Sequence, residues 1–584
     1  MGVSIEGGIH MKKPLLSEMT LHEKIGQMLC PNQWDVFGRR GPGRAFTDEE
    51  MTLVHTRYAE GQFGTLRGEH TGVFYADPRY YVPVDREENA VEGNLFTLGR
   101  AKVPPVLYKK FMEGLGSYIR IPPLVAGDYT VGGATVFEGM STIVNANAIG
   151  AADSEELTYQ LGASLARELR CAGVNWRWAP VVDLGNRNST ASMRTFAIDD
   201  VERTIRLTKA YVRGMQDEGV AATLKHFPSE GRIEARDPHF TSPCCDDSLE
   251  TWWSEQGRVY QELFDDGAYS VMIGHQSFPA VDDTMIDGRY IPSTISKKVI
   301  TDLLKGQMGF RGVVITDGIT MAGLYSLMPY EELIVELVNA GNDIILGSKL
   351  QSDVLIEQAV LDGRIAESRI DDACQRVLDM KEKLGMFRED YGVLPYTLEA
   401  IVPETKRISA QIAQRSMTLV RDRQQLLPIK AETVKKAAII VSTHADWFLS
   451  SINNLKLALE NQGIQVHLQR RLKNSTELKA ISDENDLIIY AAYVGMHAPA
   501  GALRLFGDEC HTFYHAFNHG KEKSIGVSFG YPYVHYDTME NAPTFINAYS
   551  TSRESMEAFV QAIFGEIPCA GKSPVLLIPR VNAR

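Results

Sequence analysis

The sequence predicts an α/β protein, a TIM-type (β/α)8 barrel followed by a smaller αβα sandwich. Three observations predict it. From about residue 63 to 350 the chain repeats an amphipathic helical stretch, a Gly or Asn break and a short apolar run, the pattern of βα units around a parallel sheet. Polar residues recur at the C-terminal ends of those runs, which in such a barrel form one rim. The chain has 584 residues, more than one core usually organises, and fresh apolar runs begin in its last third.

The strand candidates, in order, are IGQMLC (25–30), FGTLRG (63–68), PLVAGD (123–128), NWRWAPVVDL (175–184), ATLKHFP (222–228), SVMIGHQ (270–276), VVITDG (313–318) and DIILG (343–347), eight in all. Between them lie helical stretches at 154–173, 200–219 and 248–267, each ending on a glycine as a C-cap would. A helix over 367–386 gives way to the irregular FREDYGVLPYTLEAIVPETK, which reads as a linker. Helical residues around 408–417 then lead to apolar runs at 437–442, 486–494 and 523–534, interspersed with helical stretches at 447–463 and 552–565. The expected division is a tail (1–12), a barrel (13–388), a linker (389–406) and a sandwich (407–584).

Composition narrows the function. Apolar residues make up 44% and charged residues 23%, ordinary for a globular chain. A formal charge of −14, with no Lys/Arg stripe against it, makes nucleic acid an unexpected partner. Seven scattered cysteines without a CxxC spacing read as reduced thiols rather than as a disulfide framework or a zinc site. The N-terminus lacks an apolar h-region and no stretch reaches ~18 apolar residues, so a cytoplasmic protein without a membrane partner is expected, as monomer or homodimer. Residues 1–10 are set aside, Met11 being an alternative native start.

Two places carry chemistry. Asp317, in GVVITDGITM, ends an apolar strand where a buried carboxylate would be costly, and Gly318 after it allows close approach of a ligand. It is a candidate nucleophile, the competing reading being a helix N-cap. LKHFPSEGRIEARDPHFTSP (224–243) starts on a strand with Lys225 and His226 and runs into a charged loop holding Asp237, Pro238 and His239. Asp and His two residues apart can share a hydrogen bond that favours imidazolium and raises the His pKa, suiting it to protonate a leaving oxygen. A solvated surface pair is the competing reading.

KHFP with the D-x-H loop, VVITDGITM, PLVAGD, NWRWAPVVDL and VMIGHQSFPAVD together resemble the bacterial β-N-acetylglucosaminidase branch of glycoside hydrolase family 3. The resemblance runs from MTLHEKIGQM (19–28) to LDMKEKLGMF (378–387) and returns at LLPIK, VSFGYPYV and GKSPV. It implies a retaining, exo-acting hydrolase of terminal β-linked N-acetylglucosamine on small saccharides. Asp317 would attack C1, His239 would serve as acid and then base, and Asp237 would orient the imidazole. Asp128, Arg194, Lys225 and His226 would bind the sugar, with His275 and Asp183 as weaker candidates at the rim. No metal or other cofactor is called for.

Departures from the family pattern bear on specificity: Ser229 and Glu230 replace a glycine and a histidine, YTVGG follows Asp128, and the Arg194 segment lacks a proline-rich lead-in. Alternatives stay open. A phosphorylase would use the same residues, since an imidazole is neutral in the second step and repels phosphate less than a carboxylate. A β-glucosidase-like hydrolase would recruit Glu509, in FGDECHTF (506–513), and a non-catalytic sugar-binding protein would keep the barrel alone.

Overall fold

The computed structural model describes residues 12–31, 73–75, 104–106, 108–109, 121–129, 132–185, 187, 189–230, 236–349, 351–495 and 503–577. Eight short strands form the first sheet: β1 (Leu29–Pro31), β2 (Val73–Tyr75), β3 (Leu124–Gly127), β4 (Trp176–Arg177), β5 (Ala221–Phe227), β6 (Ser270–Ile273), β7 (Val313–Thr316) and β8 (Ile345–Ser348). Strands β2 to β7 pair in sequence order, all parallel, and a parallel bridge between Ile315 and Ile344 links β7 to the start of β8. Strand β8 pairs with β1, and β1 lies against β2, so the sheet curls into a barrel. Its interior is filled rather than hollow. Trp176, fully buried, donates its indole N–H to Thr223 Oγ1 at 2.7 Å and Ser270 Oγ at 3.0 Å, with Ala126, Met272 and Ile315 packed around it.

The expected strand at 63–68 lies outside the described residues; β2 is the strand at 73–75. Residues 25–30 divide: Leu21–Gln27 is a helix with a Thr20/Glu23 capping box, and only Leu29 onward is strand. The helix expected at 248–267 is two, Leu249–Ser254 and Gln256–Asp265. Glu255 breaks it at φ −125° and ψ −82°, and Gln256 turns its amide to Leu184 N–H and Val182 C=O. The stretches at 154–173 and 200–219 are α1 (Glu155–Cys171) and α2 (Val201–Asp217), packed on one another.

The supposed linker is irregular only at its start. Its second half is the opening of α3 (Leu398–Ser416), which contains Pro403 on its exposed side. Ile401, Thr405, Ile408 and Ile412 recur at helical spacing and are buried, so the helix is set by its packing on α1 despite the proline.

The second sheet has six strands: β9 (Thr418–Asp422), β10 (Lys436–Thr443), β11 (Gln465–Arg470), β12 (Leu487–Tyr493), β13 (Ser524–Ser528) and β14 (Thr544–Asn547). Their order is β9-β14-β13-β12-β10-β11, parallel except for β9 against β14. One continuous apolar cluster joins the two halves of the chain: Leu161, Leu165 and Tyr211 of α1 and α2 pack with Ile408 and Ile412 of α3 and with Ile439, Phe529 and Phe559 beyond it. The C-terminal segment then returns to the barrel, where Pro574 C=O accepts Ile198 N–H and Asp199 accepts Leu576 N–H at 2.7 Å.

Candidate active site

Asp317 follows the last residue of β7. Its amide donates to Ile273 C=O at 2.8 Å and its Oδ1 accepts the Gly318 N–H at 2.7 Å, so main chain fixes the carboxylate at the barrel rim. Burial works against ionisation, but His226, His275, Lys225 and the Gly318 amide outweigh it and hold its pKa down at about 2. The acid is therefore ionised throughout the neutral range. The alternative role of helix N-cap fails, because the next helix begins at Ala322 with Met321 at its cap.

His239 sits in a turn that its own sequence builds. Asp237 Oδ1 accepts both the His239 backbone N–H at 2.8 Å and its ring Nδ1 at 2.7 Å, while Asp237 C=O accepts the Phe240 and Thr241 amides. Asp237 is buried and His239 is more than one-third exposed. The Asp237 hydrogen bond raises the His239 pKa against the effect of burial, and the Asp317 carboxylate adds to the rise. The loop is also tied to the Asp317 side of the barrel: Ala322 N–H donates to His239 C=O at 3.1 Å, and Ser242 Oγ donates to His275 C=O at 2.8 Å.

The remaining predicted residues form a linked polar floor. Lys225, almost wholly buried, lies 3.2 Å from Asp128 Oδ2, and the Asp128 side chain is open to solvent at the end of β3. His226 turns Nδ1 to Asp183 Oδ2 at 2.9 Å and to Glu230 Oε1 at 3.2 Å, and its Nε2 has no hydrogen-bond partner among the described residues. Asp183, fully buried, also accepts the amides of His226 and Glu230. Arg194 lies 3.3 Å from Glu230 Oε1; burial opposes its charge, but Glu230, Asp128, Asp183 and Asp317 together raise its pKa. Of those four carboxylates, Glu230 is the one in direct contact with the guanidinium.

His275 is satisfied within the barrel rim. Its Nε2 is 2.9 Å from Gly318 C=O and its Nδ1 is 2.9 Å from Thr294 Oγ1, so both ring nitrogens are engaged by protein oxygens. Burial lowers its pKa. Because the Gly318 carbonyl can only accept, Nε2 donates to it, while Nδ1 faces the Thr294 hydroxyl. It thereby props the main chain next to Asp317.

Glu230 is the residue that sequence reasoning did not place. It bridges His226 and Arg194 from a buried position, and the signal for it was its spacing of four from His226 just past a strand end. Asp183, His226 and Glu230 bring their ligand atoms within 4.8 Å of one another, a spacing that could suit a cation, yet here Arg194 supplies the countercharge. Glu509 is elsewhere engaged: fully buried, it accepts from Arg470 at 3.0 Å, Arg471 at 2.6 Å and the Thr443 amide at 3.0 Å in the second sheet. That sheet nonetheless reaches the site indirectly. Tyr531 Oη donates to Arg187 C=O at 2.6 Å, and Ala191 packs in a cluster with Tyr531, Tyr533 and Val575, bracing the loop that carries Arg194.

An ionised carboxylate at a barrel strand end, an imidazole of raised pKa and a floor of paired donors together make a candidate centre for glycosyl transfer chemistry. Comparison with known proteins gives the family. Residues 108–380 match the glycosyl hydrolase family 3 N-terminal domain. A β-hexosaminidase of Xanthomonas oryzae pv. oryzae is 33% identical over 232 residues, covering 38% of this chain and 67% of the relative. The β-N-acetylglucosaminidase/β-glucosidase of Cellulomonas fimi is 29% identical over 488 residues, 79% of this chain and 85% of its own. Among solved structures, a β-glucoside phosphorylase superposes with a TM-score of 0.78 at 26% identity, covering 96% of this chain and 94% of that one. A β-N-acetylglucosaminidase from Paenibacillus sp. str. FPU-7 has the same fold, with a TM-score of 0.74 at 24% identity over 96% and 99% of the two chains. The chain belongs to glycosyl hydrolase family 3 and is a glycoside hydrolase.

Proposed function

We propose that the protein is a retaining, exo-acting β-N-acetylglucosaminidase of small saccharides. The observation that carries this is the Asp237–His239 contact, in which one buried carboxylate oxygen receives both the ring and the main chain of the histidine. With Nδ1–H given to Asp237, Nε2 is the working nitrogen. In the first step the Asp317 carboxylate attacks C1 as the C1–O bond breaks, and His239 Nε2 gives its proton to the leaving oxygen. In the second the neutral imidazole takes a proton from water, the water oxygen attacks C1, and Asp317 leaves as carboxylate. Arg194, Lys225, His226 Nε2 and Asp128 would hold the sugar hydroxyls. Catalysis would rest in residues 13–388, with residues 407–584 packing against them and supporting the Arg194 loop. Seven free cysteines support a cytoplasmic setting.

Phosphorolysis is the second reading. It is favoured by the likeness to a β-glucoside phosphorylase and by the imidazole, which is uncharged when the second acceptor arrives. Release of chromophore from aryl β-N-acetylglucosaminide and aryl β-glucoside, with and without phosphate, tests both. Preference for the acetamido sugar with free N-acetylglucosamine as product supports the hydrolase. A sugar 1-phosphate decides for phosphorolysis, and exclusive cleavage of the glucoside overturns the assigned sugar.

A further inference from the structure

The acid/base loop has a second side. Just after His239, residues Phe240, Thr241 and Ser242 wall a recess of about 310 Å3 that lies outside the catalytic floor. Facing them is a hairpin, Met285–Ile286 against Arg289–Tyr290, closed by Asp287 and Gly288 at φ 51° and 74°, the two-residue turn that such backbone angles allow. The base of the recess is Ala322 and Gly323, where Ala322 N–H holds His239 C=O and a side chain at Gly323 would collide with Thr241 C=O. Recess and proton donor are therefore parts of one rigid unit.

The lining is unusual for this chain. Phe240, Met285 and Tyr290 are 52%, 53% and 39% exposed, large apolar faces left open to solvent around one hollow. Arg236 and Arg289 also line it, and no acidic side chain does among the described residues, although the whole chain carries a formal charge of −14. An aromatic and thioether rim suits the apolar face of a sugar ring, and guanidinium groups suit carboxylate or phosphate oxygens. A proton donor must lie against the leaving oxygen, so the departing part of the substrate is placed beside the acid/base loop.

We propose that this recess holds the leaving part of the saccharide, and that Arg236 and Arg289 select a leaving sugar bearing an anionic group, a carboxylate or a phosphate ester. The inference rests on the glycosidase reading and on His239 as its acid. It does not depend on which sugar occupies the other side of the bond.

Three disaccharides test it, each with non-reducing β-1,4-linked N-acetylglucosamine and with glucose, glucuronate or glucose 6-phosphate at the reducing end. A parallel series carries non-reducing glucose, and an aryl glycoside of each sugar serves as a control without an anion. In whichever series is cleaved, kcat/KM for glucuronate or glucose 6-phosphate as leaving group should exceed that for glucose by about tenfold, and which of the two is preferred identifies the anion. Arg289→Glu, on an exposed hairpin, should abolish or reverse that preference while leaving aryl glycoside turnover unchanged. Equal kcat/KM for the three leaving groups, or a preference that survives Arg289→Glu, would overturn the proposal. Cleavage confined to the glucose series would count against the assigned sugar alone, because the leaving-group comparison is still read within that series.

Discussion

Asp237 Oδ1 receives two hydrogen bonds from the same residue, the His239 amide at 2.8 Å and the His239 ring at 2.7 Å. The backbone bond fixes where the imidazole starts, and the ring bond fixes its tautomer and raises its pKa. A raised pKa keeps the acid form present to higher pH and deprives the base form at lower pH. Asp237→Asn keeps an acceptor for the amide but loses the charge. The alkaline limb of kcat/KM for an aryl N-acetylglucosaminide should then move to lower pH by about one unit, with kcat reduced on the order of 100-fold. An alkaline limb that stays in place in this variant would mean another group sets it.

Glu230 stands between Arg194 and His226. Glu230→Gln preserves its shape while removing the charge that Arg194 and His226 face. KM should rise by about tenfold with kcat changed much less, since Arg194 loses its anchor and Asp317 does not. Steady-state kinetics would separate this from a purely structural role, which would lower the amount of folded enzyme without moving KM.

Tyr531, just beyond β13, ties the second half of the chain to the segment that leads to Arg194. Tyr531→Phe removes one hydrogen bond to Arg187 C=O and should raise KM severalfold, for a stability cost of about 1 kcal/mol. Separating the two halves should be far more damaging. A chain ending at residue 397 would expose Leu161, Leu165 and Tyr211, which now pack on Ile408, Ile412 and Ile439, and it should be recovered as aggregate. A soluble, active barrel from such a truncation would show that the shared apolar cluster is dispensable.

Lys381 is a stability switch remote from catalysis. Fully buried, with its ammonium 2.6 Å from Gln27 Oε1, it has a pKa lowered by burial from 10.5 to about 7. Above pH 10.5 it is neutral in both folded and unfolded chains. As the pH falls from there, the unfolded lysine binds a proton that the folded one refuses, so stability declines until about pH 7 and then levels off. Lys381→Met should flatten this dependence and stabilise the protein on the order of 2 kcal/mol at pH 7, less than the full shift implies because Gln27 loses a partner. Urea unfolding of both proteins at pH 7 and pH 9 measures it, and parallel pH responses would contradict it.

The barrel was legible because its strands are short apolar runs that end in polar residues, so Asp128, Lys225, His226 and Asp317 could be placed on one rim before any coordinates. The D-x-H pair was legible for a local reason: two residues apart, it makes its contact within one turn. What failed depends on long-range packing. Nothing local in Gln465–Arg470, with its alternating exposure, or in Thr418–Asp422 marks an edge strand as strongly as a buried one. Pro403 masked the start of α3, whose helical state comes from burial against α1. The contacts of His275 were hidden for the same reason, because the Gly318 carbonyl that accepts its hydrogen bond is 43 residues away along the chain.

Asp317 as the nucleophile is the central claim, and trapping it is the most direct test. Incubation with 5-fluoro-N-acetylglucosaminyl fluoride, proteolysis and mass spectrometry should find one sugar on the peptide containing Asp317, and none on the Asp317→Ala protein. A label on any other residue, or turnover of substrate to the α-anomer without a trapped species, would contradict the account.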